Sequence, residues 1–150
     1  MAPGNVTTLG ELAALTGLGT HSYYLKDNTT VTDENGITGT IIDFEIEVDF
    51  TDQEFVWAWF NANIGGRSYQ LMPDLGGGNP TFADVYANGV DLVGQCFNGS
   101  CGTHPGQSLN GEGALVFLGD NAEGIAFTLG AETATGEAIT GVGVLDRTLF

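Results

Sequence analysis

The sequence is poor in positive charge: Lys26, Arg67 and Arg147 face 19 aspartates and glutamates, a formal net charge of −16 over 150 residues. Nucleic acids and anionic membrane surfaces are recognised through cations that displace counterions, so that balance excludes both as partners. The bulk of the acidity reads as a solubility feature, which speaks to colloidal behaviour and not to fold. No run approaches the roughly 20 continuous apolar residues of a membrane helix. The opening Met1-Ala2-Pro3-Gly4 also lacks the basic-then-apolar profile of a secretory signal. Histidine is scarce too, with only His21 and His104 available as bases near neutral pH. No nucleophile elbow, zincin helix, P-loop or dinucleotide fingerprint occurs. The many carboxylates cannot single out a glycosidase pair from so acidic a background. The chain therefore reads as a non-enzyme with no catalytic residues and no resident cofactor.

What is present is material for one core. The composition is 42% hydrophobic, with 24 glycines and only 4 prolines. A chain of this size buries roughly 70% of the surface it exposes when unfolded. Residues 1–150 read as a single domain. The only two cysteines, Cys96 and Cys101, bracket a turn-rich Phe97-Asn98-Gly99-Ser100 and are expected to form a disulfide, which fits an oxidising compartment. Adding His104 gives a Cys-x4-Cys-x2-His spacing that matches none of the usual zinc patterns.

Hydrophobic periodicity then sets the fold class. Thr8 to Gly17 predicts one short helix, with Thr8 as N-cap, Glu11 at the capping-box position and Gly17 as stop. From His21 onward the period is two. In Thr40–Phe50 the residues Phe44, Ile46, Val48 and Phe50 face one way and Asp43, Glu45, Glu47 and Asp49 the other. Further strands are predicted at Ser22–Leu25, Phe55–Ile64, Arg67–Met72, Thr81–Ala87, Asp91–Phe97, Glu112–Leu118, Gly124–Leu129 and Ala138–Leu145. Turn material such as Gly65-Gly66, Asn88-Gly89 and Gly119-Asp120-Asn121 separates them. Roughly eight or nine strands with hairpin-length links predict an all-β, antiparallel, up-and-down barrel of about eight strands. Long crossover helices are missing, which excludes a parallel sheet.

One register decides what the tryptophans do. A two-residue turn at Asp52-Gln53 sets Phe50 opposite Phe55, Val48 opposite Trp57 and Ile46 opposite Trp59, all facing inward, and this is the preferred expectation. A turn one residue longer turns Phe55, Trp57 and Trp59 outward beside the acidic row, where they become a contact surface.

Two ligand readings follow from residue type. Asp27, Asp33 and Glu34, in the loop Asp27–Gly36, are weak calcium candidates, although the loop departs from the EF-hand pattern and fits a plain Asx-rich turn. The acidic row of Thr40–Phe50 spaces its carboxylates about 6.6 Å apart along one strand, too far to cup a calcium ion unaided. A small barrel can also hold a hydrophobic, haem-like ligand, but the bulk of Phe44, Phe50, Phe55, Trp57, Trp59, Phe117 and Phe127 argues for a filled interior.

The run Gly111-Glu112-Gly113-Ala114-Leu115-Val116-Phe117-Leu118-Gly119-Asp120-Asn121-Ala122-Glu123-Gly124-Ile125-Ala126-Phe127 resembles a hairpin of the form F-x-G-x-x-A-x-x-x-G. That hairpin belongs to the eight-stranded barrel at the C-terminus of transferrin-binding protein B, which also occurs in proteobacterial FecR-domain proteins. The leading Leu9-x-x-Leu12-x-x-Leu15-Thr16-Gly17, the two-cysteine loop and the last strand Ile139-Thr140-Gly141-Val142 agree with the FecR-associated version. The resemblance implies a structural turn role for Gly119, Ala122 and Gly124, and a module displayed in the bacterial periplasm, at the cell surface or outside the cell. It carries no ligand residues over, because fold likeness does not give function. The expected function is a non-enzymatic binding and interaction module whose partner is a protein. The alternatives are a structural subunit that self-assembles through sheet edges or loops, and a small-ligand carrier.

Overall fold

The computed structural model describes residues 5–26, 30–76 and 78–147. Nine antiparallel strands run β1 Thr20–Leu25, β2 Thr30–Asp33, β3 Thr38–Asp49, β4 Glu54–Ile64, β5 Arg67–Pro73, β6 Val90–Phe97, β7 Gln107–Leu118, β8 Gly124–Glu132 and β9 Ala138–Arg147. Each pairs with its neighbours, and β3 pairs with β4 to close the sheet on itself. β1 and β2 lie end to end, both between β3 and β9, so the nine strands fill the eight positions of a barrel. No helix among the described residues is long and apolar enough to cross a membrane.

The inward faces follow from alternation. Phe44, Ile46 and Val48 of β3, Phe60, Ala62 and Ile64 of β4, and Ile125, Phe127, Leu129 and Ala131 of β8 are buried, while the residues between them face out. Gly65 and Gly66, both at positive φ, make the two-residue turn into β5, as a tight hairpin between right-twisted strands demands.

One end of the barrel is plugged. The helix α1, Leu9–Ala13, starts at Thr8 with the expected capping box, reciprocated by Glu11, and buries Leu12. A second helix, α2, Phe82–Asn88, stands where the alternation of Thr81–Ala87 predicts a strand. Thr81 caps it by accepting from the Asp84 N–H, Phe82 and Val85 share its buried face, and Gly89 ends it at positive φ. Over seven residues the two periods fit the same apolar positions, and a capping threonine plus a terminating glycine decides for the helix. Phe82 then meets Phe50, Phe55 and Phe117 at ring distances of 5.7, 5.1 and 4.9 Å. Tyr86 accepts at its hydroxyl from the Phe117 N–H and donates to the Thr7 carbonyl, tying the helix to β7 and to the N-terminal segment.

The other end carries the disulfide. Cys96 and Cys101 are bonded, with Cα atoms 5.7 Å apart, and both are buried. The bond closes a loop of sequence separation 5, so on the chain-entropy model it stabilises by about 2 kcal/mol. Reduction with a phosphine is expected to lower the unfolding free energy in urea by that amount and to leave the far-ultraviolet spectrum of the native state unchanged. Loss of the fold on reduction would show that the loop organises more than itself.

Candidate functional site

The outward side of β3 and β4 concentrates the chemistry. On β3, Asp43, Glu45, Glu47 and Asp49 form the expected solvent-facing row. The turn into β4 is longer than two residues: Asp49 pairs with Glu54, so Phe50 to Gln53 make the turn. Its geometry is held by the Asp49 carboxylate, which accepts from the Thr51 and Asp52 N–H groups, and by Gln53. The Gln53 side-chain amide donates to the Leu12 and Phe50 carbonyls from a left-handed backbone.

Phe55 still faces inward, opposite Val48. The register then shifts, because the next pair is Glu47 with Trp57, which leaves Val56 as an extra residue on β4. A bulge of one residue reverses the side-chain parity beyond it. Trp57 and Trp59 therefore leave the core, contrary to the inward register expected for them, and stand opposite Glu47 and Glu45. Trp57 is 43% exposed, and Trp59 is half-buried. Exposed Met72 and Leu75 extend the apolar surface. Of the three residues named as a possible contact surface, the structure thus keeps Phe55 in the core and sets the two tryptophans on the outside.

Like charges crowd the rim of this surface. One carboxylate oxygen each from Asp49, Asp52 and Glu54 lies within 4.8 Å of the others. The Asp49 charge, first among several causes, pushes the Asp52 carboxyl above its ordinary value. Sequence reading missed this cluster because it forms only when the long turn folds Asp52 back toward both strands.

The calcium candidates end up elsewhere. Asp27 lies outside the described residues. The loop expected around Asp33 and Glu34 includes β2, and both carboxylates serve the fold. Both oxygens of Glu34 accept from Arg67 at 2.7 Å, and the Ala138 N–H donates to one of them at 2.9 Å. Asp33 accepts from the Asn35 and Ile37 N–H groups. Arg67 also donates to Ser100 in the disulfide loop and to Tyr69 in β5, so one fork joins three parts of the barrel end. Hydrogen bonding from Arg67, opposed by partial burial and aided by the Ala138 N–H, holds the Glu34 carboxyl down from an ordinary 4.5 to about 2. A depressed carboxylate stabilises the fold fully above its unfolded value and loses that contribution as the pH falls through the folded one. Glu34→Gln should therefore melt below the parent at pH 7, with the gap closing between pH 4.5 and 2. A gap that persists at pH 2 would assign the loss to packing.

The remaining named residues sit in turns, close strand contacts and the disulfide loop. Gly119 and Ala122 both take left-handed backbone in the β7–β8 turn. Ala122 is buried, with its carbonyl accepting from the Tyr23 hydroxyl. A Cβ on Gly124 would lie 3.3 Å from the Leu145 carbonyl oxygen. Both cysteine sulfurs belong to the disulfide, and His104 packs its ring against Phe97.

Inside the barrel an apolar cavity of about 70 Å³ remains, bordered by Phe44, Leu92, Leu115 and Phe127 and reaching Trp57 and Met72 at the wall. Pockets for drug-sized ligands span roughly 300–1,000 Å³. This one has no room for a haem-sized molecule.

No family model matches the chain, and no curated protein matches it in sequence. Among solved structures, the isotype 1 transferrin-binding protein B of serogroup B Neisseria meningitidis matches with a TM-score of 0.51 and 15% identity. The match covers 96% of this chain and 27% of that one. The transferrin-binding protein B of Haemophilus parasuis Hp5 matches at a TM-score of 0.38 and 13% identity, over 88% of this chain and 27% of its own. The chain thus spans about a quarter of the length of the proteins it is similar to, and the Neisseria match shows a shared barrel fold.

Proposed function

We propose that this chain is a non-enzymatic, extracytoplasmic binding module that docks a protein partner through the outward tryptophans of β4 and the acidic row of β3. The observation that carries the reading is the bulge at Val56, which removes two large aromatics from a core that could have used them. Burying a tryptophan on folding is worth several kcal/mol, so an outward pair is retained at a cost to the core. Exposed tryptophan is the residue type most enriched at the centres of protein interfaces. The likeness to a transferrin-binding protein supports the barrel as a scaffold for such modules, and the disulfide is in keeping with an oxidising compartment. The partner would be basic, since a net charge of −16 repels acidic proteins and further copies of the chain alike.

Two measurements test this reading. Light scattering behind size exclusion should show a monomer in both low and high salt, whereas assembly that grows with salt would favour a self-associating subunit. Bacterial envelope protein passed over the immobilised chain should yield a partner whose retention falls in Trp57→Lys and Trp59→Lys. Equal retention by the double variant would rule this face out.

A further inference from the structure

Deepening the binding-module reading, we propose that the chain captures its partner by strand addition. The open edge of β4 at Val56–Trp59 pairs with an extended protein segment that carries apolar and basic side chains at alternate positions.

β4 pairs with β5 only from Phe60 to Ile64. Continuing that register would set Trp59 opposite Met72 and Ala58 opposite Pro73; neither pair forms, and Pro73 has no N–H to give. The two strands separate there. Nearer the turn, β4 is bridged at Glu54 to Thr81, the N-cap of α2, where the Phe55 N–H donates to the Pro80 carbonyl. Between these points Val56 to Trp59 have β3 on one edge and no strand on the other among the described residues. An unpaired edge inside an otherwise closed barrel offers backbone donors and acceptors over about 13 Å, the length of four extended residues. Strand addition uses this kind of edge, with affinity from the main chain and specificity from alternate side-chain pockets.

The surroundings define the occupant. The cavity of about 70 Å³ is bordered by inward Leu92 and Leu115 and by exposed Met72 and Leu75, so it opens through the wall at this seam. It has room for one small apolar side chain pointing inward from an added strand. Side chains of the opposite parity would lie over Trp57 and Trp59, with Glu45 and Glu47 on the strand beyond. Two strand spacings, about 9.6 Å, separate an added strand from β3. A lysine or arginine lying across a tryptophan face covers most of that distance, with a cation–π contact on the way, and the glutamate side chain reaching back covers the rest. The chain's own cations are placed elsewhere: Arg67 on Glu34, Lys26 beside Asp146 and Arg147 on the Asn121 carbonyl. A second copy would bring its own 19 acidic side chains, so a basic heterologous segment fits and a homodimer does not.

The test uses the full chain and an end-blocked octapeptide of alternating valine and arginine. Titration followed by hydrogen exchange should show binding that slows by at least about tenfold those amides of Val56–Trp59 that point away from β3. N-methylating the peptide on alternate residues of one edge should weaken binding at least about tenfold, and a valine–glutamate peptide should not bind. Binding with exchange unchanged and N-methylation tolerated would overturn strand addition and leave docking by side chains standing. No binding by the valine–arginine peptide at millimolar concentration would also overturn strand addition. The envelope-capture variants judge the wider reading separately.

Discussion

Phe117→Ala is expected to lower the unfolding free energy by about 3–5 kcal/mol, the range for truncating a fully buried aromatic. Phe117 has no exposed surface. Its ring stacks on Phe55 at 5.6 Å and 9°, and meets Tyr23 and Phe50 at 5.7 Å and Phe82 at 4.9 Å. Those rings come from β4, β1, the β3–β4 turn and α2, so this one side chain joins the plug to the barrel. Its neighbours are themselves held: Tyr23 by the Ala122 carbonyl and Tyr86 by Thr7. The site can therefore collapse only partly, and the cavity term stays near its upper range. Urea unfolding measures it, and a loss below about 1 kcal/mol would mean the plug is not integral to stability.

Gly94→Ala should cost about 3 kcal/mol, at the upper end for overpacking, although it adds one methyl group. A Cβ there would overlap the Gln70 carbonyl oxygen and lie 2.8 Å from its carbon and 3.0 Å from Leu71 Cα. All three atoms are backbone of a paired strand, so the β5–β6 ladder itself must move. Gly113→Ala is the control: the nearest atoms stand at 3.4 Å, one of them the flexible end of Leu92. It should change stability by less than about 1 kcal/mol. Equal losses at the two positions would show that the helical plug, and not close strand approach, limits this barrel.

The barrel itself was readable from alternation. From Phe44 to Phe50 every second residue faces the side that alternation predicts, and the Gly65-Gly66 turn and the Thr8–Glu11 capping box stand as expected. What alternation cannot register is a single inserted residue. Val56 reverses the parity of everything between itself and the turn relative to the strand beyond, and no residue type announces it. Ile42, the other extra residue, is exposed for the same reason. α2 was hidden because seven residues satisfy both periods at once. The Arg67–Glu34 tie joins residues 33 apart in sequence, and its pairing exists only once β2 and β5 reach the same barrel end. Trp57 and Trp59 face outward as the longer-turn register has them, but Phe55 does not, because the bulge at Val56 and not the length of the turn sets their parity.

The outward position of Trp57 is the claim on which the docking surface and the open edge both rest. The chain has only two tryptophans, so Trp59→Phe leaves Trp57 as the sole indole fluorophore. Emission of that variant should lie between that of a buried indole and that of the unfolded chain, and should be quenched by acrylamide while the protein is folded. A blue-shifted, quencher-resistant emission would put the indole in the barrel, in the register without the bulge, and would remove the surface proposed here.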